Sequence, residues 1–331
     1  MRILFFVLFC GWHLPVLAGD GDYAISKIAP ALLKNADAVL RLEEIRFEVF
    51  STREASEINH YVITVFNDNG AHWADFSEYY DNLQDIDYIE GILYDANGKQ
   101  VKRVKTKDMQ DISGNDGSSL ADDNRVKRHN FYCKIYPYTI EYTVKLNYKH
   151  TMFFPMWSPR GSEKLSVEKS SISMVVPAAY QFRYKAFLYN GEPVTVMEKD
   201  KKKMTWTATD MPALLKEQWG PAWHEVSTVV IFGPTDFQVG DYKGSMKDWQ
   251  GFGKFVYDLK QNRDVIPAAT AQVVHQLTNG VPGDKKKIEL LYKYMQQNTR
   301  YISIQLGIGG WQPFDANYVA TKGYGDCKAL T

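Results

Sequence analysis

Cysteine is scarce in this 331-residue chain, with three in all, and neither sign of charge is in excess, since Lys+Arg and Asp+Glu are both 39. Three thiols give no disulfide framework for a chain of this size. A balanced charge leaves no net field to recruit nucleic acid or an anionic membrane. The basic runs Lys199 to Lys203 and Lys285 to Lys287 therefore read as solvated faces. There is no Pro/Ser-rich tract, and no apolar run is long enough to span a bilayer. With 45% hydrophobic residues the chain is globular and long enough for about two domains.

Export is legible at the N-terminus. Met1-Arg2 is a short charged start, Ile3 to Cys10 an apolar core, and Val16-Leu17-Ala18 a cleavage site followed by polar Gly19-Asp20-Gly21-Asp22. Residues 1–18 are read as a secretory signal, and the bulky Phe9 before Cys10 argues against lipidation there. The mature protein is expected outside the cytoplasm, periplasmic or at the cell surface, with no membrane span. Cys133 lies in the aromatic run Asn130 to Tyr136 and reads as a small core residue.

Residues 19–236 are read as one β-rich domain, in which the dominant signal from about Leu40 to Thr209 has period two. Tyr138, Ile140, Tyr142, Val144, Leu146 and Tyr148 alternate with Thr139, Glu141, Thr143, Lys145 and Asn147, which predicts one buried and one wet face. Glu43 to Phe50 and His60 to Phe66 repeat the pattern, while Asn69-Gly70, Asn97-Gly98 and Asn190-Gly191 read as hairpin turns. Phe182 to Tyr189, Val194 to Glu198 and Lys203 to Thr209 read as a three-strand meander, and Asp108 to Arg125 as a long surface loop. The expected architecture is an antiparallel β-sandwich. After Asp236 the pattern turns helical over Ser245 to Gln261, Ala268 to Thr278 and Gly283 to Asn298. In the last of these Ile288, Leu291, Tyr292 and Met295 share a face. A boundary is placed near Phe237 to Lys247, so that residues 237–331 form an α+β part.

The residues with the clearest chemistry close the chain: Gly323-Tyr324-Gly325-Asp326-Cys327-Lys328-Ala329-Leu330-Thr331. A thiol at a helix start is stabilised as thiolate by unpaired backbone N–H groups and the helix dipole. Attack on an amide also needs a base to take and return a proton, a task suited to histidine. His275 sits in an ordinary helical stretch, and His224 precedes the thiol at the domain junction. Trp311 and Gln312, in Gly309-Gly310-Trp311-Gln312-Pro313, offer N–H donors to a developing oxyanion. Their competing role is a structural turn whose indole roofs the core. Asp326 reads as a helix N-cap, and Arg300 and Asp315 as braces. No metal or other cofactor is called for.

Three segments, Asn298-Thr299-Arg300-Tyr301-Ile302-Ser303-Ile304, Gly309 to Pro313 and Gly323 to Leu330, resemble the start of a transglutaminase-like domain of the papain-type superfamily. The β-rich region before them resembles DUF3857, a tandem familiar in exported proteins of Bacteroidetes-type bacteria. The resemblance implies a Cys-His-Asp triad with Cys327 as nucleophile at the start of the fold's central helix and its backbone N–H in the oxyanion hole. It places the His and Asp on later strands, which nothing up to Thr331 matches, so these 331 residues are expected to be inert by themselves. The activity implied is hydrolysis of amide or peptide bonds, or acyl transfer to an amine, on a protein or peptide substrate. The alternative is a non-catalytic scaffold binding a glycan or a protein, with pairs such as Tyr79-Tyr80 and Phe153-Phe154 stacking on sugars.

Overall fold

The computed structural model describes residues 21–115, 117–215 and 217–331; the proposed signal and Cys10 lie outside the described residues. The protein is mainly β with a helical C-terminal part. Among the described residues fifteen strands precede residue 235: β1 (Ala38–Val49), β2 (Ala55–Val65), β3 (Phe76–Tyr80), β4 (Gln84–Tyr94), β5 (Gln100–Lys105), β6 (Gln110–Ser113), β7 (Ala121–Asp122), β8 (Arg125–His129), β9 (Tyr138–Tyr148), β10 (Met156–Trp157), β11 (Leu165–Pro177), β12 (Phe182–Phe187), β13 (Val194–Glu198), β14 (Lys201–Met211) and β15 (Val229–Pro234). Eight of them form one sheet in the order β13-β14-β11-β1-β2-β9-β4-β5.

That sheet is mixed, which corrects the expectation of purely antiparallel pairing. β1 runs antiparallel to β2 but parallel to β11, with Ala38 opposite Leu165 and Phe47 opposite Met174. Parallel neighbours need a long crossover, and here β2 to β10 supply it. One face of the sheet carries two apolar clusters, with Glu43 and Glu57 on the same face between them. β1 contributes Ala38 and Leu40, and then Ile45, Phe47 and Val49. The irregularity between Leu40 and Leu42 is a bulge that moves the inward face from even to odd positions.

Two three-stranded sheets lie over this face, in the orders β3-β8-β6 and β10-β15-β12. Phe76 packs with Ile140, Tyr142 and Leu93, while Trp157, Val230 and Phe232 pack with Phe47, Ile172 and Trp206. The expected meander is therefore split. β13 and β14 pair as a hairpin, but β12 leaves the main sheet and pairs with β15, because Tyr184 sets its ring against Trp206 and Phe232 of the second core. The segment read as a loop from Asp108 to Arg125 supplies β6 and β7. Of the three Asn-Gly pairs, Asn97-Gly98 turns β4 into β5, with Gly98 at φ 78°. Asn69-Gly70 sits instead in a 3-10 helix, Asp68–Ala74.

β9 follows its predicted alternation, but its outer face is not uniformly wet. Thr139 is fully buried and hydrogen-bonded to Thr64. Glu141 accepts from Tyr94 Oη at 2.5 Å and pairs with His60 Nε2 at 2.7 Å. Behind this face the short helix α1 (Pro30–Leu33) buries Leu32 with Ile28 and Val39.

The C-terminal part begins with the hairpin β16 (Asp236–Val239) and β17 (Tyr242–Ser245), preceded by α2 (Trp223–Val226). Phe237 and Val239 form a core with Met152, Phe255 and Leu259. Gly244 packs tightly in this hairpin, since a Cβ there would lie 2.2 Å from the Phe237 ring and the ring would have to move. Three longer helices follow, α3 (Trp249–Leu259), α4 (Ala268–Thr278) and α5 (Asp284–Asn298). Neither α4 nor α5 buries a residue, and Ile288 of the apolar stripe is 65% exposed.

Candidate functional site around Cys327

The last stretch is built by short local elements. α6 (Ala316–Lys322) starts at Asp315, whose Oδ1 accepts from Tyr318 N at 2.7 Å, and stops at Gly323 in the left-handed region at φ 70°. The chain then forms β20 (Tyr324–Gly325), which pairs in parallel with β18 (Arg300–Tyr301). Arg300 N donates to Gly323 O at 2.9 Å and Ile302 N to Gly325 O at 3.0 Å. Two of the three segments carrying the sequence resemblance are thus laid side by side.

α7 (Cys327–Leu330) follows directly. Asp326 is its N-cap, with Oδ1 accepting from Ala329 N at 3.0 Å while Oδ2 pairs with Lys328. The cap is buried, 3% exposed, which holds the turn rigid; Cys327, the first helical residue, is exposed. Its thiol makes no hydrogen bond among the described residues. A cavity of about 740 Å³ is walled by Tyr257, Lys260, Arg263, Phe314, Lys328 and Leu330; it lies against the residues that follow Cys327, and Cys327 itself is not part of its lining.

Trp311 and Gln312 are engaged elsewhere. Gln312 Nε2 donates to Tyr242 Oη at 2.6 Å and lies 3.3 Å from Leu259 O. Trp311 packs on Phe153 of the β-rich part and Phe252 of α3, at centroid distances of 5.9 and 6.1 Å. Both tie the hairpin and α3 to the 307–313 turn. A further seam joins the same region to the segment once read as a loop. β19 (Ile304–Gln305) pairs in parallel with β7, and Gly307 N donates to the Asp123 carboxylate at 3.1 Å. Sequence reasoning missed Asp123, because nothing local distinguishes an aspartate that will meet a backbone N–H far along the chain.

The six described histidines are each held in other surroundings. His60 is on Glu141, His72 on Asn69 O, His129 on Tyr142 Oη, and His150 accepts from Met152 N. The His224 ring stands edge-on to Phe187. His275 supplies its backbone carbonyl to the end of α4. None of them bonds Cys327. Of the aromatic pairs, Tyr79 and Phe153 are 55% and 51% exposed, whereas Tyr80 donates to Asp111 and Phe154 packs on Phe47. Among the described residues no helix is long and apolar enough to cross a membrane, and no group of His, Cys, Asp or Glu is arranged to hold a metal.

Comparison with solved structures places this architecture beside a protein from Parabacteroides distasonis designated a candidate protease. The TM-score is 0.62 at 14% identity, over 89% of this chain. The chain spans 57% of that protein's length. An M1 zinc metallopeptidase from Deinococcus radiodurans (TM-score 0.28, 11% identity, 75% of this chain and 55% of that one) is too distant in fold to be informative. The same holds for a candidate nutrient-binding protein from Legionella pneumophila (0.29, 9%, 80% and 95%). No curated protein matches. Residues 52–214 match the family described as a domain of unknown function with a solved structure, DUF3857.

Proposed function

We propose that this protein is an exported, transglutaminase-like cysteine enzyme that acts on amide or peptide bonds with Cys327 as nucleophile. The observation that carries the reading is an exposed thiol at the first residue of a helix whose cap, Asp326, is buried and fixed. The fold likeness to a protein designated a candidate protease supports it. In this reading the β-rich part is a sandwich-type DUF3857 module, and residues 237–331 are the first portion of a papain-like domain.

The chemistry runs in two steps. The thiolate sulfur adds to the carbonyl carbon, the C–N bond breaks, and the amine leaves with a proton, giving a thioester. Water then adds, the C–S bond breaks, and acid and thiol are released; an amine in place of water gives transfer. Hydrolysis is preferred, since water is abundant outside the cytoplasm. In this reading the base is the histidine that the resemblance places on a later strand; none of the six described histidines bonds Cys327.

The test is made in the natural full-length protein. Cys327→Ala is expected to abolish peptide hydrolysis and amine incorporation, while Cys133→Ala leaves both intact; activity surviving in Cys327→Ala removes the proposal. A second reading, a glycan- or protein-binding scaffold, is favoured by the exposed rings of Tyr79 and Phe153. It predicts saccharide binding that Tyr79→Ala and Phe153→Ala weaken.

A further inference from the structure

A second concave site lies away from Cys327, at the mouth of the space between β3-β8-β6 and the β5 edge of the main sheet. Its cavity measures about 430 Å³ and is lined by Asp75, Phe76, Lys102, Asp108, Arg128 and His129, among others. That volume falls within the ~300–1,000 Å³ usual for small-ligand pockets.

The charges lining it are unequally occupied. Asp75 accepts from Asn130 Nδ2, and Asp108 Oδ2 accepts from Lys105 N at 2.8 Å. Arg128 uses only Nε, toward Ser77 Oγ at 3.3 Å, so its terminal nitrogens have no acceptor among the described residues. The Lys102 ammonium makes neither a hydrogen bond nor an ion pair among them. Several neighbouring cations are paired: Arg103 with Glu90, Arg125 and Lys127 with Asp111, and Lys145 with Asp87. Lys105 and Lys107, by contrast, have no ion pair among the described residues either; what sets Lys102 and Arg128 apart is that both line one cavity.

His129 adds a third group. Its Nδ1 is held by Tyr142 Oη at 2.6 Å, and its ring is fixed edge-on against Phe131 at 4.6 Å. Opposite in register is Phe76, 3% exposed, which supplies an apolar floor.

We propose that this cavity binds a carboxylate-bearing ligand, with Lys102 and the terminal nitrogens of Arg128 holding the carboxylate. A guanidinium fork and an ammonium match a planar anion with two acceptor oxygens. Asp75 and Asp108 in the same wall repel a second negative charge, which disfavours a phosphate dianion, and they are placed to accept N–H donors from an adjoining amide. The ligand is a small free acid or the C-terminus of a peptide.

Titration by calorimetry, and by backbone-amide NMR, uses three probes: N-acetylalanine, an N-acetylated alanine tripeptide acid and the same tripeptide amide. The acid tripeptide is expected to bind, to shift the amides of Phe76, Lys102 and His129, and to lose affinity at least about tenfold in Lys102→Ala/Arg128→Ala. Lys102→Arg/Arg128→Lys should retain binding, and Cys327→Ala should leave it unchanged, which separates this site from the proposed catalytic one. Equal binding of both acids assigns the site to small carboxylates, and tighter binding of the tripeptide acid assigns it to peptide termini. The proposal is overturned if the amide binds as well as the acid, if inorganic phosphate binds more tightly than either acid, if the double variant binds normally, or if no probe binds.

Discussion

Glutamate 43 points into the space between the layers, and its replacement tests whether the protein carries uncompensated charge in its interior. Ser170 Oγ donates to Glu43 Oε2 at 2.5 Å, and Trp157 Nε1 donates to the same serine at 2.8 Å. Burial is the largest influence and pushes the carboxyl up to about 7; the serine bond pulls it down, and Glu57 pushes it up again. Burial likewise raises Glu57, which accepts from Tyr148 Oη at 2.9 Å. Glu78, reaching in from β3, is also raised to about 7 by burial and by Glu57. No cationic side chain figures among the influences on the three.

A carboxyl raised above its unfolded value of 4.5 binds more protons folded than unfolded. Its contribution is therefore full below pH 4.5 and is lost as pH rises to 7. At about 1.4 kcal/mol per pH unit the loss at Glu43 has a ceiling of about 3 kcal/mol. Glu43 is only half-buried, so water lowers that figure to about 1–2 kcal/mol. Glu43→Gln keeps an acceptor for Ser170 and removes the charge. Urea unfolding from pH 4 to 8.5 should show the variant equal to the parent at pH 4 and more stable by about 1–2 kcal/mol at pH 8. A variant less stable at pH 8, or a difference independent of pH, refutes the account.

Two further outcomes are expected. Gly244→Ala drives a methyl to within 2.2 Å of the Phe237 ring and should cost about 1–3 kcal/mol, read as a lower thermal midpoint; an unchanged midpoint would show that the hairpin is not packed on Phe237. In native-state hydrogen exchange, amides of α5, which buries no residue, should exchange well before those of β9, and equal protection would contradict the exposure of its apolar stripe.

Much of the local structure is legible in the sequence. The alternation at Tyr138 to Tyr148 predicts β9, and the 3.6-residue stripe predicts α5 to within a residue. Asn97-Gly98 marks a hairpin, and Gly-Asp-Cys marks a capped helix start. These succeed because period, turn chemistry and capping are satisfied by residues within a few positions of one another. The same patterns misplace β12, since an amphipathic strand carries no address for its partner, and the Trp206 and Phe232 rings supply one only once the second core assembles.

The candidate site divides in the same way. Sequence alone determined that Cys327 opens a helix behind an aspartate cap, and that three longer helices lie between residues 245 and 298; the switch from strands falls after the β16-β17 hairpin, at Ser245, rather than after residue 236. Tertiary structure alone decided that Gln312 spends its amide on Tyr242, that the 108–125 segment seams to residues 303–307, and that β1 and β11 run in parallel. It also decided that three glutamates share one interior and that Lys102 and Arg128 share one cavity wall. Each of these depends on which distant segments meet, and that choice is made by the burial of whole faces rather than by any neighbourhood of the chain.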